Sequence, residues 1–84
     1  PLAFKRALGQ AERAATPVAE TLEIALAGYL RARAEFAAAS DETQPVLQRA
    51  AATLDIAARH LSQAAAAAEA PIQELEQLVR ARRG

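Results

Sequence analysis

The chain has 84 residues, of which 52% are apolar, but alanine supplies most of that fraction and only three residues are aromatic. Ten basic and ten acidic side chains cancel, which argues against a general nucleic-acid binder and against attachment to anionic membranes by net charge. The absence of cysteine excludes disulfides, a thiolate nucleophile and thiolate metal ligands. A chain this short has a thin core, so the composition favours a small domain that gains stability from a partner.

An apolar seam runs through the first half of the chain. Steps of four and three residues, taken alternately from Phe4, meet an apolar residue every time, which is the heptad pattern of a helix that packs along one stripe. The seam residues are Phe4, Leu8, Ala11, Ala15, Val18, Leu22, Ala25, Tyr29, Ala32 and Phe36. We expect a helix over residues 2–39. Gly28 suggests a close approach of a neighbouring helix, because glycine otherwise costs about 1 kcal/mol in a helix.

The stretch AAASDETQPVLQ predicts a turn at residues 40–44. Ser40 and Asp41 are residue types that cap the start of a helix, and Gln44 stands three residues after Asp41, as a capping box requires. Pro45 is tolerated only in the first turn of a helix. Because the connection is short, the two helices are expected to lie antiparallel.

The second half repeats the seam and predicts a helix over residues 45–82. Its seam residues are Leu47, Ala50, Leu54, Ala57, Leu61, Ala64, Ala68, Pro71, Leu75 and Leu78. Five consecutive alanines, Ala64 to Ala68, are expected to let the two backbones approach closely, opposite the larger Val18 and Leu22. The alternative is that alanine serves only as a strong helix former.

Each predicted helix contains one proline, Pro17 or Pro71, at a similar distance from the turn. A proline removes a backbone donor and clashes with the carbonyl four residues earlier, so each is expected to kink its helix. The alternative is a break into four short helices. The sequence therefore predicts an all-α fold, with residues 1–84 forming one antiparallel, coiled-coil-like helical hairpin, kinked near both prolines and able to assemble into a four-helix bundle.

No constellation of residues indicates catalysis, a metal or a cofactor, and we expect a protein that is not an enzyme. His60 is the only histidine, and no nucleophile, base or ligand partner is visible for it. The stretch ARHLSQAA resembles the phosphorylated helix of histidine phosphotransfer domains, but the glycine that usually follows such a histidine is missing. Arg80, Arg82 and Arg83 suit the negative end of a helix dipole, and the alternative is a tail for an anionic partner.

Eight large apolar residues lie off the seam, more than a two-helix hairpin can bury. They are Leu2, Ile24, Leu26, Leu30, Val46, Ile56, Ile72 and Val79. We expect Ile24, Leu26, Leu30 and Ile56 to form a partner interface, with either another copy of the chain or a different helical protein. The leading hypothesis is a non-enzymatic assembly or adaptor module. The alternative is a helical signalling or regulatory domain that uses His60 or the arginine-rich C-terminus.

In size, central turn and helical arms the chain resembles small bacterial hairpin proteins, namely the WXG100 family of type VII secretion and the needle subunits of type III secretion. The resemblance implies a secretion-associated subunit or a small chaperone. The chain departs from both families, since it lacks the Trp-x-Gly turn, the tyrosine-based export signal, and the asparagine- and glutamine-containing second helix of needle subunits. With no long apolar segment and no signal-peptide pattern, we expect no transmembrane segment and a protein that is cytoplasmic or exported without a cleaved signal peptide.

Overall fold

The computed structural model describes residues 1–83 and shows two long antiparallel helices joined by a short turn. Helix α1 spans Leu2–Ala38, a single 3-10 turn spans Ala39–Asp41, and helix α2 spans Gln44–Arg83. The hairpin measures 62 × 19 × 14 Å. The predicted all-α hairpin is therefore confirmed, and the observed ends of the helices at the turn lie one residue earlier than the predicted ones.

The turn is built differently from the capping box that the sequence suggests. The Ser40 hydroxyl donates to the Ala37 carbonyl at 2.9 Å, so Ser40 closes α1 rather than opening α2. The Leu47 amide donates to the Thr43 carbonyl at 3.0 Å, which makes Thr43 the capping residue of α2. Gln44 is thus the first residue of α2, and the predicted box between Asp41 and Gln44 is wrong because the helix begins two residues later than that box requires.

The seam between the helices is buried chiefly through alanine. The buried residues of the described chain are Ala11, Ala15, Ala32, Ala39, Ala64 and Ala68. Every other predicted seam residue is half-buried. Of the five-alanine run, only Ala64 and Ala68 face the other helix, whereas the three residues between them are exposed. The expectation that the whole run packs is therefore wrong, because a helix returns to the same face only every three or four residues.

Contacts between the two arms are almost entirely apolar. The exposed ion pairs Arg59–Asp55 and Arg80–Glu76 each lie within α2, one turn apart, and contribute little to stability. Among residues 1–83, a cation–π contact joins the two arms, with the Arg82 guanidinium over the Phe4 ring at 5.6 Å from its centroid. Since the large seam residues are only half-buried, the hairpin has a core one layer thick.

Both prolines lie inside continuous helices, so the alternative of four short helices is wrong. Pro17 is exposed, whereas Pro71 is half-buried at the seam. Each proline lacks the amide that would bond the carbonyl four residues earlier, at Arg13 and Ala67 respectively. Both helices continue through the position of the missing bond, and the bend at each proline stays a prediction.

Candidate protein-docking face

An open groove runs between the helices at the middle of the hairpin. Its volume is about 590 Å³. Helix α1 contributes Thr21, Ile24, Ala25 and Gly28, and α2 contributes Ala57, His60, Gln63, Ala64 and Ala67. Most of these side chains are apolar, so water in the groove has few hydrogen-bonding partners and is readily displaced. The groove is thus suited to receive apolar side chains from another molecule.

The groove exists because small residues meet there on both helices. Ala25, Ala57 and Ala64 occupy the seam, and Gly28 stands beside it. A Cβ atom added at Gly28 would meet nothing within 4 Å. The expectation that Gly28 marks a close helix approach is therefore wrong, since the glycine opens a hollow instead.

Two of the predicted interface residues border this region. Ile24 lines the groove and is 74% exposed. Ile56, which is 51% exposed, lines a smaller depression next to it together with Arg59, His60 and Gln63. Because His60 and Gln63 line both hollows, Ile24 and Ile56 belong to one continuous surface. We call this surface the groove face, consisting of Thr21, Ile24 and Gly28 on α1 and Ile56, His60, Gln63 and Ala67 on α2.

The other two predicted interface residues lie on the opposite side of the hairpin. Leu26 is 45% exposed and Leu30 is 44% exposed. Successive helical residues are rotated by about 100°, so Leu26 points about 200° away from Ile24. The four residues therefore form two pairs rather than one patch. We call the second surface the far face, consisting of Leu26 and Leu30 on α1 and Ile72 and Val79 on α2.

The sequence contains a signal that separates the two faces. Gly28 and His60 each stand one residue before a seam residue, Tyr29 and Leu61, and both line the groove. Leu26 stands one residue after the seam residue Ala25 and lies on the other side. In an antiparallel pair, residues that precede the seam on one helix lie beside those that precede it on the other. Sorting the apolar residues by this rule would have divided the predicted interface correctly.

Charge distinguishes the two faces. On α2, the two rows of the groove face carry no Asp, Glu, Lys or Arg from Thr53 to Ala70, and on α1 the same holds from Gln10 to Gly28. The far face instead borders an α2 row, at seven-residue spacing, that contains Asp55, Glu69 and Glu76. Burying the far face would desolvate these carboxylates. The groove itself is lined by no Asp, Glu, Lys or Arg, and Arg59 borders the smaller depression beside Ile56.

His60 lies beside the groove, and the C-terminal arginines lie in the last turn of α2. His60 is exposed at the rim of the groove. Within residues 1–83 there is no group of three or more histidine and carboxylate side chains that could hold a metal ion. Arg80 lies 2.9 Å from Glu76, and Arg82 lies over Phe4, so two of the three arginines have contacts within the chain.

Comparisons of the chain with protein-family models, curated proteins and solved structures find no match. Neither helix, over the residues described, is long and apolar enough to cross a membrane.

Proposed function

We propose that this chain is a non-enzymatic assembly module, whose groove face packs against a helical surface of another chain. The observation that carries the proposal is the coincidence, on one face, of exposed isoleucines and an open apolar groove that no Asp, Glu, Lys or Arg lines. Charged residues are depleted, and large apolar residues are common, at the centres of protein interfaces.

The large solvent-exposed area of the hairpin supports the proposal that a partner covers one of its faces. A globular monomer of 8.9 kDa is expected to expose about 4,800 Å². This chain exposes 6354 Å², which is about 1,500 Å² more than the expected value. A specific interface of ordinary size buries about 800 Å² on each partner. Covering one face of the hairpin would therefore remove much of the excess.

The shape of the groove favours a helix as the occupant. It follows the helix axes over about seven residues of α1 and ten of α2, a length of about 10–15 Å at 1.5 Å per residue. This length accommodates two to three turns of a helix that lies along the hairpin. Side chains from such a helix would fill the hollow at Gly28, in the same way that ridges fill grooves between packed helices.

Photo-crosslinking in the native cells tests the proposal. A photoreactive amino acid at position 56 on the groove face should form covalent adducts with a helical segment, identified by mass spectrometry of the cross-linked peptides. The matched control carries the same amino acid at position 13, which is exposed and points away from the groove. Absence of adducts from positions 24 and 56, or equal yields from position 13, would refute the proposal.

A further inference from the structure

We infer that the groove face is covered by a second copy of this chain, in an antiparallel dimer whose two-fold axis crosses the middle of the groove. The inference rests on the proposed function and names its partner. It depends on two charged residues, Arg49 and Glu74, that flank the groove on α2.

Arg49 and Glu74 stand in the same rows of α2 as the groove residues. Arg49 precedes Ile56 by seven residues, and Glu74 follows Ala67 by seven. Residues seven apart share a face of the helix, and both side chains are exposed. They are therefore the first charged groups beyond each end of the uncharged part of this face on α2.

The two charges are placed symmetrically about the groove. The α2 part of the groove runs from Ala57 to Ala67 and is centred on residue 62. Arg49 lies 13 residues before that centre and Glu74 lies 12 residues after it. A two-fold axis through the centre, perpendicular to the arms, would place Arg49 against Glu74 of the partner subunit, and the reverse pair would form by symmetry.

The same two-fold axis also brings together the apolar residues of the two groove faces. On α1 the groove runs from Thr21 to Gly28, and Ile24 lies at its centre. Because a two-fold axis maps the centre of the face onto itself, Ile24 would lie against Ile24 of the partner subunit, and Gly28 of each chain, one helical turn away, leaves open space beside this pair. A two-fold interface requires one surface to supply both the projecting and the receiving groups, and the groove face does so.

Charge also selects the orientation. Near the turn, the groove-face rows carry Arg31, Glu35 and Arg49, with a net charge of +1, whereas near the termini they carry Glu74 alone. A parallel dimer would place the two positive ends together. The antiparallel dimer places each positive end against a negative one, which electrostatic complementarity favours.

A charge-swap experiment tests the inference on the full chain. The variants Arg49→Glu and Glu74→Arg should each place like charges together twice per dimer and raise the dissociation constant by about ten-fold or more, measured by sedimentation equilibrium. An equimolar mixture of the two variants should form a heterodimer as tight as the unaltered homodimer, and the double variant Arg49→Glu/Glu74→Arg should regain homodimerisation. Arg33→Glu makes the same charge change away from the groove face and should leave the dissociation constant unchanged.

Circular dichroism shows whether each variant remains helical, and the double variant provides a second test if either single variant is unfolded. A monomeric unaltered chain would overturn the inference, as would a mixture that fails to form the heterodimer. Single variants that dimerise as tightly as the unaltered chain would also overturn it, because in a parallel dimer like charges already face each other at positions 49 and 74. If the unaltered chain is monomeric while position 56 cross-links to a different helical protein, the inference fails and the proposed function stands. If neither association occurs, both fail.

Discussion

The far face as defined above exposes four large aliphatic side chains and the groove face two, and the two faces also differ in what surrounds these side chains. On the groove face, Ile24 and Ile56 stand beside small residues and an open hollow. On the far face, Leu26 and Leu30 line neither of these hollows. They lie on the side of the hairpin where α2 carries a row of carboxylates. Exposure of an apolar side chain does not by itself identify an interface, since scattered apolar residues are ordinary on protein surfaces. The neighbouring groups decide whether burial is favourable.

The largest expected effect is on the dissociation constant of the dimer, and it distinguishes the groove face from the far face. The double variant Ile24→Glu/Ile56→Glu should raise the dissociation constant of the dimer by about 100-fold or more, because burial of an isoleucine contributes about 1.5–3 kcal/mol. The matched variant Leu26→Glu/Leu30→Glu should change it by less than about three-fold. Sedimentation equilibrium gives both constants. Equal losses from the two variants would show that the faces do not differ in function.

A second prediction contrasts the seam with the floor of the groove. Ala68 is 2% exposed, so Ala68→Leu should reduce the free energy of unfolding of the hairpin by about 1–3 kcal/mol through overpacking. Ala57 is half-buried and lines the groove, so Ala57→Leu should cost less than about 1 kcal/mol because its added methylenes have room. Thermal melts at a concentration where the chain is monomeric measure both. A greater loss from Ala57→Leu would mean that the groove is closed in solution.

The smallest expected effects come from replacing the two interior glycines, Gly9 and Gly28, which lie on different sides of the hairpin. Gly28→Ala and Gly9→Ala should each stabilise the monomer by about 1 kcal/mol, because alanine is the better helix former. A Cβ at position 28 meets open space, and one at position 9 meets only the mobile end of Arg13 at 3.3 Å. Only Gly28→Ala should weaken dimerisation, since its methyl group enters the groove. Weaker dimerisation of both variants would indicate a general effect of helix stability.

Much of the fold follows from the seven-residue pattern. The seam residues predicted from Phe4 onward and from Leu47 onward are all buried or half-buried, because heptad spacing requires one stripe of each helix to face the other. The capping of the turn was not predictable, since a serine hydroxyl such as that of Ser40 can end one helix or begin the next. The true cap, Thr43, is also a common capping residue type.

The site was only partly predictable. The sequence indicates that Ile24, Leu26, Leu30 and Ile56 lie off the seam, and all four are exposed. The sequence does not show how much space separates the helices at Gly28, because that space depends on the side chains that both helices place at the same level along the hairpin axis. The division of the four residues between two faces was present in the spacing, and the structure supplies the groove that distinguishes those faces.

The distance between two identical spin labels in the dimer distinguishes the antiparallel arrangement from a parallel one. The chain has no cysteine, so Gln77→Cys allows a single nitroxide label per chain, at an exposed position about 15 residues from the groove centre. In the antiparallel dimer the two labels should lie about 45 Å apart along the bundle, measured by double electron–electron resonance. A distance below about 25 Å, comparable to the thickness of two packed helices, or no intermolecular distance at all, would rule out the antiparallel dimer.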